Sequence, residues 1–299
     1  MEREERRFRS GGEECAAWLF RPDELTTPAP CVVLASGLSC VRDQRLDAFG
    51  ERFAAAGFLA LAFDYRHFGD SDGEPRSLMS AARQRQDWGA ALAYVRALEE
   101  VDADRVAAWG FSLGGGNVQA LAIADRDLAA AICVCPLVDG VRTLLHIGGP
   151  GHLARLGAAG LRDGLRGLRG AEPYRAPAAG PPGSGAVLAR ATCLAEFEAV
   201  TPPGSTWRNE LCARAALAPP YRLAKKAQRI ECPVLYCIAD QDEINPPGLG
   251  IEASRNAPAG ELRRYPGGHF APLHGDTYER VVADQLDFLG RHLRGQGDP

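Results

Sequence analysis

The chain has no Cys-x-x-C pair, no apolar stretch of membrane-spanning length, no surplus of basic residues and no internal repeat. Each absence removes a class of protein. Without cysteines at ligand spacing there is no zinc ribbon and no dithiol redox motif. The longest apolar run, residues 128–138, is too short to cross a bilayer and contains Cys and Pro. A formal net charge of −4 offers no basic face of the kind that binds nucleic acid. The N-terminus, Met1 to Arg7, is charged from the start and leads into no apolar segment, so the sequence predicts no secretory leader and a cytoplasmic protein.

What is present fits a folded enzyme-sized chain. The 299 residues, 46% hydrophobic and 24% charged, suit one large α/β domain or a domain carrying an insertion. A chain of that length buries a core without help from disulfides or a structural metal. Nine cysteines occur (Cys15, Cys31, Cys40, Cys133, Cys135, Cys193, Cys212, Cys232 and Cys237), an odd count, and six sit in Val/Ile/Leu/Ala-rich runs. They read as small buried hydrophobes in a reducing compartment. Cys40 alone falls in a loop of functional interest.

Residues 7–10 and 13–20 flank Gly11-Gly12 and predict a β-hairpin. Short apolar runs at 31–35, 58–63, 106–110, 129–137 and 232–239, with a shorter one at 261–265, predict further strands. Between them, helical spacing appears from Leu46 to Gly57, over 77–100, from Leu113 to about Ala124, and over 278–293. Strands alternating with helices predict a mostly parallel sheet covered on both faces. Residues 139–226 break that rhythm with Pro/Gly-rich pieces and helix-like segments but no convincing strand. They are expected to form a lid insertion over a core made of residues 1–138 and 227–299. Leu153, Leu156, Leu161, Leu165, Leu168, Trp207 and Leu211 are expected to pack it.

Gly110-Phe111-Ser112-Leu113-Gly114 matches G-x-S-x-G, with a strand leading in and a helix leading out. In that setting the glycines permit a sharp turn that lifts the Ser112 hydroxyl above the sheet, and the Leu113 amide can meet an oxyanion. Gly115 and Gly116 extend the small-residue run. A serine needs a base held by an acid. His269, in the Gly-rich loop 265–270 before the last helix, is the expected base; His274 is a poorer choice, His67 a reserve, and His146, His152 and His292 read as lid or surface residues. Asp242, in the loop after the 232–239 strand, is the expected acid, with Asp240 the alternative. The Leu38 amide, after Ser36-Gly37, is expected to be the second oxyanion donor.

On these residues the chain resembles the α/β-hydrolase superfamily over nearly its whole length. Its core is most similar to the bacterial esterase and dienelactone-hydrolase-like branch, which includes transferases of polyketide biosynthesis. The likeness is carried by residues 63–71 (Phe-Asp-Tyr-Arg-His-Phe-Gly-Asp-Ser), 109–115, 136–140 (Pro-Leu-Val-Asp-Gly) and 207–210 (Trp-Arg-Asn-Glu). It implies nucleophile, acid and base at Ser112, Asp242 and His269, and a structural role for residues 64–71. Many members have His-Gly where this chain has Ser36-Gly37.

The expected activity is therefore hydrolysis of a carboxylic ester or thioester through an acyl-enzyme, with no metal or organic cofactor. The alternatives are an acyltransferase or cyclase of secondary metabolism on the same three residues, and a non-catalytic binding module. The expected substrate is a small acyl compound, free or carrier-bound. Arg162, Arg166 and Arg169 beside the lid leucines could meet an acidic carrier, but such a stripe is more often a solvated helix face. Oligomeric state leaves no mark in the sequence.

Overall fold

Two glycines at positive φ, Gly11 at 58° and Gly12 at 95°, fold the N-terminal segment back on itself. A two-residue hairpin of the I′ kind requires that backbone at both central positions. The turn joins β1 (Glu2–Ser10) to β2 (Glu13–Arg21) as an antiparallel pair. The computed structural model describes residues 2–25, 28–218 and 221–294.

Beyond the hairpin run β3 (Ala29–Ala35), α1 (Leu46–Ala55), β4 (Leu59–Phe63), α2 (Ala81–Arg96), β5 (Val101–Phe111), α3 (Leu113–Ala124) and β6 (Ala130–Val134). Between β6 and the next strand of the main sheet come α4 (Gly140–Leu168), β7 (Arg175–Ala176), β8 (Ala179–Gly180), β9 (Leu188–Ala189), α5 (Cys193–Val200) and β10 (Leu211–Cys212). The chain closes with β11 (Val234–Ala239), α6 (Pro247–Asn256), β12 (Gly260–Tyr265) and α7 (Gly275–Leu293). The main sheet has eight strands in the order β1-β2-β4-β3-β5-β6-β11-β12, and every pairing from β4 onward is parallel.

The continuous apolar runs are explained by two-sided burial. Every residue of β3, β4, β6 and β11 is buried. Successive side chains point to opposite faces. Cys31 and Val33 of β3 therefore join Trp88 and Val95 of α2, Val118 of α3 and Ala253 of α6. Val32 and Leu34 join Phe49 and Phe53 of α1 and Val281 and Phe288 of α7. The long helix expected over 77–100 is shorter, because Ser80 caps α2 by accepting from the Arg83 amide. No helix among the described residues is long and apolar enough to cross a membrane.

Residues 135–233 run between the sheet neighbours β6 and β11 and, among those described, add no strand to the eight-stranded sheet. The expectation of no strand in this stretch is corrected only slightly. Two-residue pairs form, β7 with β10 and β8 with β9. Gly149, at φ 70°, interrupts α4, and Pro150 restarts it as a first-turn proline can. Buried Asp163 takes the Arg214 guanidinium at 2.7 Å and the Tyr174 amide at 2.8 Å, which ties α4 to the return of the chain. Trp207 donates to Ser39 Oγ at 3.3 Å and stacks on Phe197, joining insertion to core.

The leucine expectation holds only for part of the insertion. Leu156 and Leu211 are buried, but Leu161, Leu165 and Leu168 are 60%, 53% and 86% exposed. The inward face of α4 follows Thr143, Ile147, His152, Leu156, Gly160 and Asp163. A helix one layer above the core buries one face only, and these three leucines lie off it with Arg162 and Arg169.

Candidate active site

Ser112 sits at the corner between β5 and α3 with φ 57° and ψ −118°. A non-glycine residue in this region costs roughly 1–3 kcal/mol and persists only when its surroundings over-determine it. They do. Its N–H donates to the Val134 carbonyl at 2.8 Å, and its carbonyl accepts from the amides of Gly116 at 3.0 Å and Leu137 at 2.9 Å. A Cβ on Gly110 would overlap the Gly114 carbonyl, and one on Gly114 would overlap the Ala35 and Ser36 carbonyls. Gly116 is equally committed, against the Leu137 carbonyl. The run of glycines is thus a steric requirement of the corner.

The expected base and acid, His269 and Asp242, converge from two loops. β11 and β12 are parallel neighbours, so the loops leaving their C-terminal ends emerge side by side. His269 Nδ1 lies 2.7 Å from Asp242 Oδ2, and both residues are buried. The carboxylate can only accept, so Nδ1 carries the proton and Nε2 is left as the acceptor. Asp242 Oδ1 in turn accepts from the amides of Ile244 and Asn245, each at 2.8 Å. Asp240 points elsewhere, to Arg264 at 2.7 Å. Phe111, the residue before Ser112, holds its ring 4.8 Å from the imidazole, so His269 and the Ser112 corner share one packed cluster.

The remaining histidines have other partners or positions. His67 meets Arg83 at 2.8 Å, His152 meets the Val187 carbonyl at 3.0 Å, and His292 meets Glu261 at 3.2 Å. His274 precedes α7 as its N-cap residue. The His146 carbonyl accepts from Arg190.

The loop after β3 closes over the other side of Ser112. A Cβ on Gly37 would stand 2.9 Å from Ser112 Cβ and 3.4 Å from its Oγ, so a methyl group there would press on the Ser112 side chain. Leu38 and Leu113 both line the cavity that Ser112 enters. As the first residue of α3, Leu113 has an amide without an intrahelical acceptor. Buried Arg42 anchors this loop: its amide donates to Asp64 Oδ1 at 2.7 Å and its guanidinium pairs with Asp64 and, at 2.8 Å, with Asp70. Burial pushes the Asp64 carboxyl up to about 6, against the pull of Arg42. The segment 64–71 is thus a brace for the loop. Cys40 is buried with its thiol pushed up to about 12 by desolvation, which leaves it protonated and unreactive near neutrality.

The cavity beside Ser112 is about 130 Å³ and almost wholly apolar. Leu38, Leu113 and Leu137 line it together with Leu144, Leu156 and Val187 of the segment between β6 and β11. An apolar cavity of roughly 150 Å³ accommodates a benzene-sized group.

Two nearby residues have neighbours that the sequence reading does not assign to them. Asn245 supplies one of the Asp242 amide bonds and donates from Nδ2 to the Cys135 carbonyl at 2.8 Å. An Asp followed by residues that bond back to its own side chain is a recognisable turn signal. Cys135, at φ 43°, brings its sulfur within 4.8 Å of ligand atoms of Asp242 and His269. Burial drives its thiol well above the ordinary range. A metal at this cluster would require that thiol to ionise and the Asp242–His269 bond to open.

The chain matches the X-Pro dipeptidyl-peptidase (S15) family over residues 11–245. It is 41% identical over 286 residues to the quorum-quenching protein AidA of Acinetobacter baumannii (strain MDR-ZJ06), covering 95% of this chain and 93% of that one. It is 27% identical to the polyketide transferase grgF of a Penicillium species, over 92% of each chain. The crystal structure of the α/β hydrolase GrgF superposes with a TM-score of 0.83 at 26% identity, covering 98% of this chain and 99% of that one.

Proposed function

The chain belongs to the X-Pro dipeptidyl-peptidase (S15) family, with the α/β-hydrolase fold, and from that premise we propose that it cleaves a carboxylic ester or thioester through Ser112, His269 and Asp242. The observation that carries this reading is the strained Ser112 corner opening into an apolar cavity, with a buried His269–Asp242 pair at 2.7 Å packed against it.

In the proposed sequence, Ser112 Oγ attacks the acyl carbon as its proton passes to His269 Nε2, and Asp242 stabilises the imidazolium. The amides of Leu38 and Leu113 hold the oxyanion. Collapse expels the alcohol or thiol, which takes the proton from His269 and leaves an acyl-enzyme. Water, losing a proton to His269, then releases the acid and restores the serine. Residues 139–226 act as a cap that supplies much of the acyl pocket wall. Among its described lining residues, the cavity beside Ser112 has no carboxylate that could receive the ammonium group of a peptide N-terminus.

Acyl transfer is the second reading, supported by the likeness to a polyketide transferase. A further cavity of about 230 Å³ adjoins His269 and is bordered by Thr192, Glu196 and Gln241. That space suits an acceptor larger than water, held beside the base. Likeness to a quorum-quenching protein adds small acylated signal molecules to the candidate substrates. Nine free cysteines support residence in a reducing compartment such as the cytoplasm.

A panel of p-nitrophenyl esters of increasing acyl length tests the proposal. The native protein is expected to turn over the shorter members and to label with a fluorophosphonate, and Ser112→Ala to do neither. Equal rates in the two proteins would sink it. Added alcohols or amines that divert product from acid to ester or amide would favour transfer.

A further inference from the structure

We infer that the acyl group this site selects carries a hydrogen-bond donor, a hydroxyl or an amide N–H, and that Thr143 reads it; the inference deepens the hydrolase reading and rests on it. Among the residues lining the cavity beside Ser112, Thr143 and Asn245 interrupt a largely apolar wall. Both are more than nine-tenths buried. A hydroxyl placed deep in such a wall costs free energy unless something bonds it.

The bonding pattern fixes what the pair can offer. Asn245 Nδ2 donates to the Cys135 carbonyl at 2.8 Å, so its Oδ1 is the atom turned toward Thr143. Thr143 Oγ1 donates to that Oδ1 across a long 3.4 Å. With its proton spent on Asn245, Thr143 Oγ1 has lone pairs to give, and Oδ1 keeps a second one. The pair therefore presents acceptors to the cavity. An acyl chain with a donor at that depth engages a remaining lone pair of Thr143 Oγ1 or Asn245 Oδ1, whereas a plain alkyl chain leaves the pair only its single long mutual bond. Apolar pockets with a few placed polar groups discriminate in this way, since the wrong ligand strands the polar atoms of the site.

The test compares p-nitrophenyl alkanoates with counterparts bearing one hydroxyl at successive carbons along the chain. The native protein is expected to prefer at least one hydroxylated ester over its plain counterpart in kcat/KM. Thr143→Val, which keeps the shape and removes the hydroxyl, is expected to lower that preference roughly tenfold. Thr143→Ser, which keeps the hydroxyl, is expected to retain it. A ratio of rates on two substrates is insensitive to a general loss of folded protein. Native preference for plain esters at every position, or an unchanged ratio in Thr143→Val, would overturn the inference while leaving ester hydrolysis standing. No turnover of any ester by the native protein would remove the hydrolase reading and the inference with it.

Discussion

Replacing Gly37 with alanine places one methyl group against the proposed nucleophile. The new Cβ would stand 2.9 Å from Ser112 Cβ and 3.3 Å from the Phe111 carbonyl, where ordinary van der Waals contact begins near 3.4 Å. Either the Ser112 side chain or the loop carrying the Leu38 amide must yield by about half an ångström. Gly37 is not at positive φ, so alanine meets no backbone penalty of its own. A misplacement of about 1 Å at a reacting centre costs on the order of a hundredfold. Half of that predicts a loss of roughly ten- to a hundredfold in kcat/KM, about 1.4–2.7 kcal/mol of transition-state stabilisation. The assay is steady-state hydrolysis of a short p-nitrophenyl ester, beside the rate of fluorophosphonate labelling and a thermal melt. Labelling should slow in parallel, because both reactions use the same hydroxyl. Native kinetics in a folded Gly37→Ala would show that Ser112 does not act from the position described, and the reasoning would fail.

Three further outcomes can be checked. Asp242→Asn is expected to lower kcat by roughly 10³–10⁴-fold through loss of the imidazole's orienting acid; Asp240→Asn, which breaks only a half-exposed pair with Arg264, should change kcat little, and reversed effects in the same assay would move the acid to Asp240. Gly89 lies in α2, exposed, with open space where a Cβ would go, so Gly89→Ala should raise stability by about 1 kcal/mol in urea titration. The Arg291 guanidinium, with His292 beside it, holds the Glu261 carboxyl down at about 2 from an ordinary 4.5. A depressed carboxylate stabilises the fold above its unfolded pKa and loses that contribution as pH falls from about 4.5 toward 2. Because Arg291 is partly exposed, Glu261→Gln should cost only about 1–2 kcal/mol at pH 7. Urea titrations at pH 7 and pH 3 should show the penalty shrinking with acid, and a constant penalty would refute the linkage.

Local signals reached far into this fold. The Gly11-Gly12 hairpin and the helix beginning at Leu113 depend on neighbours along the chain, and the structure has both where the sequence predicts them. Buried strands such as β3 and β11 advertise themselves because two-sided burial demands unbroken apolar residues. The same signals misjudged α4. A leucine in a helix reads alike whether its face meets a core or solvent, so the exposure of Leu161, Leu165 and Leu168 was invisible without knowing how many layers lie above them.

By itself, then, the sequence determined the strand-to-helix corner at Ser112, the alternation of strands and helices, and the short list of acids and bases. Which carboxylate meets His269 was decided by the pairing of β11 with β12 and the turn that follows. Asp240 still continues the ladder, its amide donating to the Tyr265 carbonyl at 2.8 Å, so its side chain remains at the sheet edge beside Arg264. Two residues later the chain has turned, and Ile244 and Asn245 lend their amides to hold Asp242 under the imidazole. The cavity, and the Thr143 and Asn245 groups within it, exist only where insertion and core meet. Contacts between residues a hundred positions apart leave no periodicity for a single chain to display.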